Sequence, residues 1–534
     1  MKTLYLKSEN ENTPSIAAGI LKDGGTVAIP TETVYGLAAN ALNPEAVAKI
    51  FAAKGRPQDN PLIVHVQSLD EIPPLVEKVD ERLPALAERF WPGPLTVIMK
   101  KSALVPDAVS AGLDTVAIRM PSHPAAREII KACGFPLAAP SANASGRPSP
   151  TRAEHVKEDL DGRIDAIVDG GECAVGVEST VITLATDPPT LLRPGGVTPE
   201  ELEEVLGGIE ISHAVYEKLA EGEKAHSPGM KYKHYAPKAQ VTLIKGSFER
   251  YEKFLKAHNE IICAVCFEGE GKNFDEYIEY GRAKDSLTQA HNIFDVLREV
   301  DAKGYKKAFV RCPSIKGVGL AVFNRLIRSA AFRIIDLGFD IPVYGLTGQT
   351  GAGKSIVGEE LEKLGFYVID TDALARKAVE NPEVINQLKE AFGEDVAPGG
   401  KPDRALLASR AFACEEKTKL LNSITHPEIT RLTIEEIHGA QESGAKAAVI
   451  DAPVLFESPL TCLCKKIICV TADEKERLER IMLRDGISRE KALERIKAQR
   501  SEEYYVSKSD IIIRNSDIDD TRDKTVKIAR EELL

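Results

Sequence analysis

The sequence lacks any run of 18 apolar residues, and its opening MKTLYLKSEN carries no apolar h-region. A helix needs about 20 mostly apolar residues to span a bilayer, so neither a spanning helix nor a secretory signal is expected. Cysteine is sparse too: nine residues, odd in number and scattered. Cys263 and Cys266 form a CxxC, but within the apolar run IICAVCF they read as buried strand residues. Cys462 and Cys464 have no companion ligands at zinc spacing. A disulfide framework and a zinc site are therefore both disfavoured, and a reducing, cytoplasmic location is expected. Positive charge is in deficit, with 69 basic against 81 acidic residues and a net charge of −12. That argues against a general nucleic-acid coat while leaving room for a local basic cleft. Internal repeats and low-complexity tracts are also missing.

What is present is ordinary globular material, 43% hydrophobic and 28% charged, enough for several cores. At roughly 100–200 residues per domain, the length suggests about three or four domains. Residues 1–205 mix glycine-stopped helices (PSIAAGILKDGG, PEAVAKIFAAKG) with short β-rich runs such as LTVIMK, TVAIRM and TVITLA. Several of these runs are joined by loops, which predicts a mixed α/β sheet. Periodicity fades over 206–238, ending in the Pro/Gly/Tyr stretch HSPGMKYKHYAPKAQ, read as a linker. Residues 239–340 read as strands and helices of a small parallel, Rossmann-like α/β domain. Its last helix is predicted to carry Phe323, Leu326, Ile327, Ala330 and Ile334 on one apolar face. A new strand, PVYGLTG, places a border near 338–341 and opens a final domain, 341–534.

That strand runs into GQTGAGKS. Gly348, Gly353, Lys354 and Ser355 fit G-x-x-x-x-G-K-[ST], with a strand before and an amphipathic helix after. Glycines let backbone N–H groups approach phosphates, the helix N-terminus adds a positive dipole, Lys354 offsets charge and Ser355 can ligate Mg²⁺. The next strand ends in Asp370 and Asp372, at the strand edge where open α/β sheets bind ligands. Asp372 is the candidate base for a hydroxyl acceptor. The competing reading is a solvated pair capping the following helix. Asp451, ending AAVID, stands in a Walker-B-like position. Arg480 and Arg484, on a basic helical segment, are candidates to close over ATP, an exposed charged face being the alternative.

The GxxGxGKS loop, VIDTD with Ala375 and Arg376, ITHPEITR with His426, DAPVLFE, and RIKAQ before SDIIIRNS together resemble dephospho-CoA kinase across about 343–534. The resemblance implies a P-loop fold with a parallel sheet and helical lid, and ATP-dependent phosphorylation of a ribose 3′-hydroxyl. It implies ATP contacts at Gly348, Gly351, Ala352, Gly353, Lys354, Ser355, Ile356 and Arg484. Acceptor contacts fall at Asp370, Asp372, Arg376 and His426, metal contacts at Ser355 and Asp451, and catalysis at Asp372 and Lys354. One departure is Gln349–Thr350, where the family favours Gly-Ile.

The front end has no second phosphate loop of this type. It carries polar and basic clusters outside regular elements: AAKGRPQDNPLIVHV with Lys54, Arg56, Asn60 and His65; Thr115 and Arg119; Ser141, Asn143, Ser145 and Ser149; VEST with Glu178 and Ser179; and Arg193. Singly each has a bland reading as surface, core or loop. Several in one domain suggest an anion-binding cleft. PTETVYGL, KGRPQDNPL, SANASGRPSPT, VESTVI and LRPGG in that order resemble the YrdC family of threonylcarbamoyl-AMP synthases, in its two-domain form. The resemblance implies ATP contacts at Lys54, Arg56, Asn60, Thr115, Ser141, Asn143, Ser149, Arg193 and Tyr235, with Lys54 and Arg56 catalytic. It implies threonine contacts at Thr33, His65, Arg119 and Ser179. The expected cofactors are ATP and Mg²⁺. The expected partners are L-threonine, bicarbonate, dephospho-CoA and tRNA-modification proteins, with a weak RNA contact and no membrane. A front end that binds RNA, beside a different small-molecule P-loop kinase, is the rival reading.

Overall fold

The computed structural model describes residues 2–218, 235–258 and 260–533. Most of the predicted linker, 219–234, thus lies outside the described residues. The chain divides into two compact units, Met1–Ile244 with Ile261–Ile334, and Lys245–Glu260 with Ile335–Leu534. This grouping differs from a border at 340, because residues 245–260 go with the C-terminal unit.

In the first unit the described residues build an eleven-stranded mixed sheet. Its register brings the polar motifs together. Ile63–His65 runs parallel to Thr115–Arg119, setting His65 opposite Arg119. Leu95–Lys100 runs antiparallel to Thr115–Arg119, setting Thr96 opposite Arg119, and parallel to Thr180–Thr183. One end of these four strands therefore carries His65, Arg119, Thr96 and the Ser179–Thr180 pair side by side. Helix Pro44–Lys54 starts on Asn43, whose side chain accepts from Glu45 N and Ala46 N, and stops at Gly55 (φ 62°). It buries Val47, Ile50 and Phe51, and this anchoring fixes Lys54 and Arg56 at its end.

A five-stranded sheet runs in the order Tyr277–Glu279, Cys263–Cys266, Lys307–Arg311, Gln240–Lys245, Ile334–Asp336. Its first and last strands were not anticipated. The predicted helix stops at Ser329, because Ala331 and Phe332 take φ of 50° and 64°, incompatible with continuing it. Ile334 therefore lies on a strand, and the expected helical face ends earlier. Every residue of Gly319–Ser329 is buried, including Asn324, Arg325 and Arg328. Cys263 and Cys266 are wholly buried core residues, and burial pushes both thiols up to about 12.

In the second unit five parallel strands stand in the order Phe366–Asp370, Ala447–Asp451, Val343–Thr347, Lys466–Thr471, Ile511–Arg514. The chain reverses its direction of growth around Val343–Thr347, so a crevice is expected at that strand's C-terminal end. Among the described residues no helix is long and apolar enough to cross a membrane.

Candidate functional sites

The sheet edge of the first unit opens into a cavity of about 720 Å³, mouth included. It is lined by Thr33, Lys54, Arg56, His65, Arg119, Ser141, Asn143, Ser145, Glu178, Ser179, Arg193 and Tyr235 among others. Three residues expected with them do not line it. Thr115 begins the strand that Arg119 ends, about 13 Å away at strand rise. Asn60 is buried, and its backbone oxygen accepts from Arg56 Nη2 at 3.4 Å. Ser149 lies behind the wall, donating to Glu178 Oε1 at 2.5 Å.

Four cations converge on this cavity, and each is held. Lys54 Nζ donates to Ser141 O, to Asn143 O at 2.6 Å and to Asn143 Oδ1 at 3.3 Å. Its three donors are thus committed to the SANAS loop, and burial, reinforced by Arg56, pulls its pKa well below the usual lysine range. Arg193 Nε donates to Ser179 O, and its Nη2 to Ser179 Oγ, each at 3.1 Å. Ser179 Oγ in turn lies 2.8 Å from Thr96 Oγ1. Arg119 Nη2 pairs with Glu32 Oε1 at 2.7 Å, and its Nη1 has no hydrogen bond among the described residues. Burial would raise the Glu32 carboxyl, but Arg119 outweighs it and holds the group ionised. His65 is driven the other way, by burial and then by Arg119, to about 3, so it is neutral at ordinary pH. Tyr235, at φ 61°, is buried with its ring 5.2 Å from that of Phe294. Glu32 and Arg325 were not singled out from sequence, and Glu178 was named in VEST without a role of its own. Glu32 sits inside PTETVYGL and Glu178 inside VEST, so the motifs pointed at them. Arg325, on a helix that also carries Asn324 and Arg328 among apolar residues, had only its charge as a signal.

In the second unit the phosphate loop leaves Val343–Thr347 and enters helix Lys354–Lys363. Gly348 (φ 139°) and Gly353 (φ 100°) are required twice over: added Cβ atoms would lie 2.2 Å from Val470 O and 1.9 Å from Asn515 Nδ2. Asn515 Nδ2 donates to Ala352 O at 2.8 Å, so SDIIIRNS supports the loop. Lys354 Nζ rests on Gly348 O at 3.3 Å, and Ser355 is exposed at the helix start. The register sets Asp370 beside Asp451. Asp370 caps the next helix, accepting from Asp372 N at 2.8 Å and Ala373 N at 3.0 Å. Asp372 is exposed. Of the two carboxylates, Asp370 is the one that caps the helix. Burial raises Asp451 to about 6, with Asp370 and Asp372 adding to the rise and Lys354 opposing it. Its Oδ1 is buried without a hydrogen-bond partner among the described residues. Arg376 Nη2 lies 3.8 Å from Asp370 Oδ2. His426, half-buried on helix Glu415–Glu442, has its pKa lowered by burial. Arg484 is exposed and paired with Asp485 at 2.8 Å. Arg480 reaches the loop instead, with Nη1 3.3 Å from Gly351 O.

Residues 19–195 match a family described as Telomere recombination, residues 197–331 the C-terminal domain of threonylcarbamoyl-AMP synthase, and residues 342–520 dephospho-CoA kinase. A threonylcarbamoyl-AMP synthase of Pyrococcus abyssi is 48% identical over 330 residues, covering 60% of this chain and 94% of that protein. A dephospho-CoA kinase of Carboxydothermus hydrogenoformans is 38% identical over 194 residues, covering 36% of this chain and 94% of that one. Among solved structures, P. abyssi Sua5 complexed with L-threonine is similar, with 44% identity and a TM-score of 0.59. That likeness covers 63% of this chain and 99% of the other. Nearly whole relatives of two kinds thus lie end to end, and the chain belongs to the threonylcarbamoyl-AMP synthase family in its front part and to the dephospho-CoA kinase family in its back part.

Proposed function

We infer that the chain is a bifunctional enzyme. Its first unit joins L-threonine, bicarbonate and ATP into L-threonylcarbamoyladenylate and pyrophosphate, the step that leads toward t6A in tRNA. Its second unit transfers the γ-phosphoryl group of ATP to the ribose 3′-hydroxyl of dephospho-CoA. The observation that carries the first reading is the convergence of Lys54, Arg56, Arg119 and Arg193 on one cavity that also holds Thr33 and Ser179.

In the synthase, the threonine amine and bicarbonate give a carbamate with loss of water. A carbamate oxygen then forms a bond to the α-phosphorus as the bond to pyrophosphate breaks. Arg119 offers its remaining donors to the amino-acid carboxylate, with Thr33, neutral His65 and Ser179 around it. Arg56 and Arg193 offset triphosphate charge, a charge-assisted contact of the stronger kind. Lys54 acts by holding Ser141 and Asn143 against the nucleotide, and Tyr235 closes the wall. Ser149 works through Glu178, and Asn60 through Arg56.

In the kinase, loop N–H groups and Lys354 hold the β- and γ-phosphates. Asp372 accepts the hydroxyl proton as oxygen attacks phosphorus and ADP leaves. Asp370, Arg376 and His426 face the acceptor. Ser355 and the unpartnered Oδ1 of Asp451 would hold Mg²⁺, which when bound would offset phosphate charge. A cytoplasmic location, in keeping with nine unpaired cysteines, and delivery of the adenylate to tRNA-modification proteins with a weak RNA contact complete the proposal.

Pyrophosphate release that requires both threonine and bicarbonate tests the front reading, and coenzyme A formation from dephospho-CoA tests the back. Lys354→Ala should abolish the second and spare the first. Loss of both in a folded variant would mean that one nucleotide site serves both reactions.

A further inference from the structure

The two residues that follow Gly348 carry side chains long enough to disturb a phosphate loop, yet neither is left to solvent. Gln349 is only 8% exposed. Its Oε1 accepts from Arg477 Nη1 at 2.6 Å, and its Nε2 donates to Arg500 O at 2.7 Å. Thr350 is engaged at three atoms. Its carbonyl accepts from Arg477 Nε at 3.0 Å, its N–H donates to Gln499 Oε1 at 2.9 Å, and Gln499 Nε2 donates to its hydroxyl at 2.9 Å. Arg477 is 3% exposed. Its planar guanidinium presents donors in a fixed fork, suited to holding two acceptors at a set separation.

These partners occupy defined places. Arg477 lies in the first turns of helix Glu474–Asp485, and Gln499 and Arg500 follow directly on helix Arg489–Lys497. The two helices pack on each other through Leu478, Ile481, Ala492 and Ile496. The contacts therefore join the loop to both roots of one helical hairpin. A glycine-rich loop ordinarily loses much conformational freedom when its N–H groups converge on phosphate. Bonds that restrict it beforehand reduce that loss at the moment of binding.

We propose that Gln349, Thr350, Arg477 and Gln499 form a positioning clasp. It holds the phosphate loop in its nucleotide-binding shape before ATP arrives and ties that shape to the roots of the hairpin. The proposal rests on the kinase reading for the identity of the ligand as ATP. None of the four touches a reacting atom; each acts through the loop backbone.

The test is equilibrium binding of Mg·ATP to the full chain, together with kinase kinetics and backbone amide exchange. Arg477→Met and Gln349→Leu should each weaken binding about tenfold, and the double variant by less than the product of the two, because both remove the shared Arg477–Gln349 bond. The KM for ATP should rise in step while kcat changes less than threefold. Amide exchange at 348–353 should accelerate in the nucleotide-free protein, with strand 343–347 unchanged. Should Arg477→Met fail to fold, Thr350→Val and Thr350→Ser serve instead: loss of the hydroxyl should weaken ATP binding, and serine should restore it. Binding within twofold of wild type in a folded Arg477→Met or Thr350→Val chain would overturn the clasp, as would fully additive effects. ATP binding that depends on the clasp in a wild-type chain unable to phosphorylate dephospho-CoA would sink the kinase reading and leave the clasp standing.

Discussion

Arg325 Nε donates to Glu178 Oε2 at 2.8 Å across 147 positions of sequence, with both side chains buried. The same guanidinium reaches Pro194 O at 2.7 Å and Glu178 O at 3.2 Å. The other Glu178 oxygen receives Ser149 Oγ. Burial would raise the Glu178 carboxyl, but Arg325 and Arg193 outweigh it and hold it below its usual value. One helix of the small α/β domain thereby organises two motif loops of the synthase cavity.

Removing one partner of such a pair leaves a buried charge, typically costing about 3–5 kcal/mol. Arg325→Met should lower the melting temperature of the synthase unit accordingly and abolish adenylate formation. Glu178→Gln combined with Arg325→Met should recover much of the stability, because no bare charge remains, without recovering activity. Thermal melts with pyrophosphate assays on the two variants check this, and equal melting temperatures would contradict it.

Asp370 and Asp372 make opposite predictions. Asp372→Asn should lower kinase turnover by about 10²–10⁴-fold, the usual contribution of a general base, while ATP binding persists. Asp370→Asn keeps a side-chain oxygen that caps a helix about as well as aspartate, so the helix should keep its stability. Steady-state kinetics and melts separate the two, and a fall below fivefold for Asp372→Asn would remove it as the base.

His65 makes the synthase unit acid-sensitive. The folded chain keeps it neutral down to about 3, whereas the unfolded chain protonates it near its ordinary value. Between those limits unfolding takes up a proton, so stability falls as pH drops from about 6.5 toward 3, by at most about 1.4 kcal/mol per pH unit. Above that window the residue contributes no pH dependence. His65→Gln should flatten the profile of melting temperature between pH 4 and 7, and parallel profiles would refute the assignment.

Phe339 tests where the kinase unit begins. It is 3% exposed in a cluster with Val343, Ile369 and Ile437, and the Arg250 guanidinium lies 4.2 Å from its ring centre. Phe339→Ala should cost about 3–5 kcal/mol in that unit. A fragment 341–534 lacks both Phe339 and residues 245–260, and should melt well below the kinase transition of the whole chain. A fragment as stable as the whole chain would put the border back at 340.

Local pattern was sufficient for much of this protein. The phosphate loop needs its glycines at fixed spacing between a strand and a helix, so Gly348, Gly353, Lys354 and Ser355 were readable as a linear word. The ordered motifs of the front end likewise named most of the residues that line one cavity, Thr115, Asn60 and Ser149 excepted. Which atoms those residues spend on each other was decided by the fold. Strand register put His65 and Thr96 beside Arg119, and a helix cap engaged Asp370 in hydrogen bonds that Asp372 does not accept. Lys54 reads as a free cation in sequence, yet three carbonyl-type acceptors of a loop some 87 positions away take up its donors. The roles of Arg325 and Arg477 were not readable for the same reason. A buried arginine has meaning only through the acceptors that enclose it, and those come from segments that nothing in a linear reading brings together.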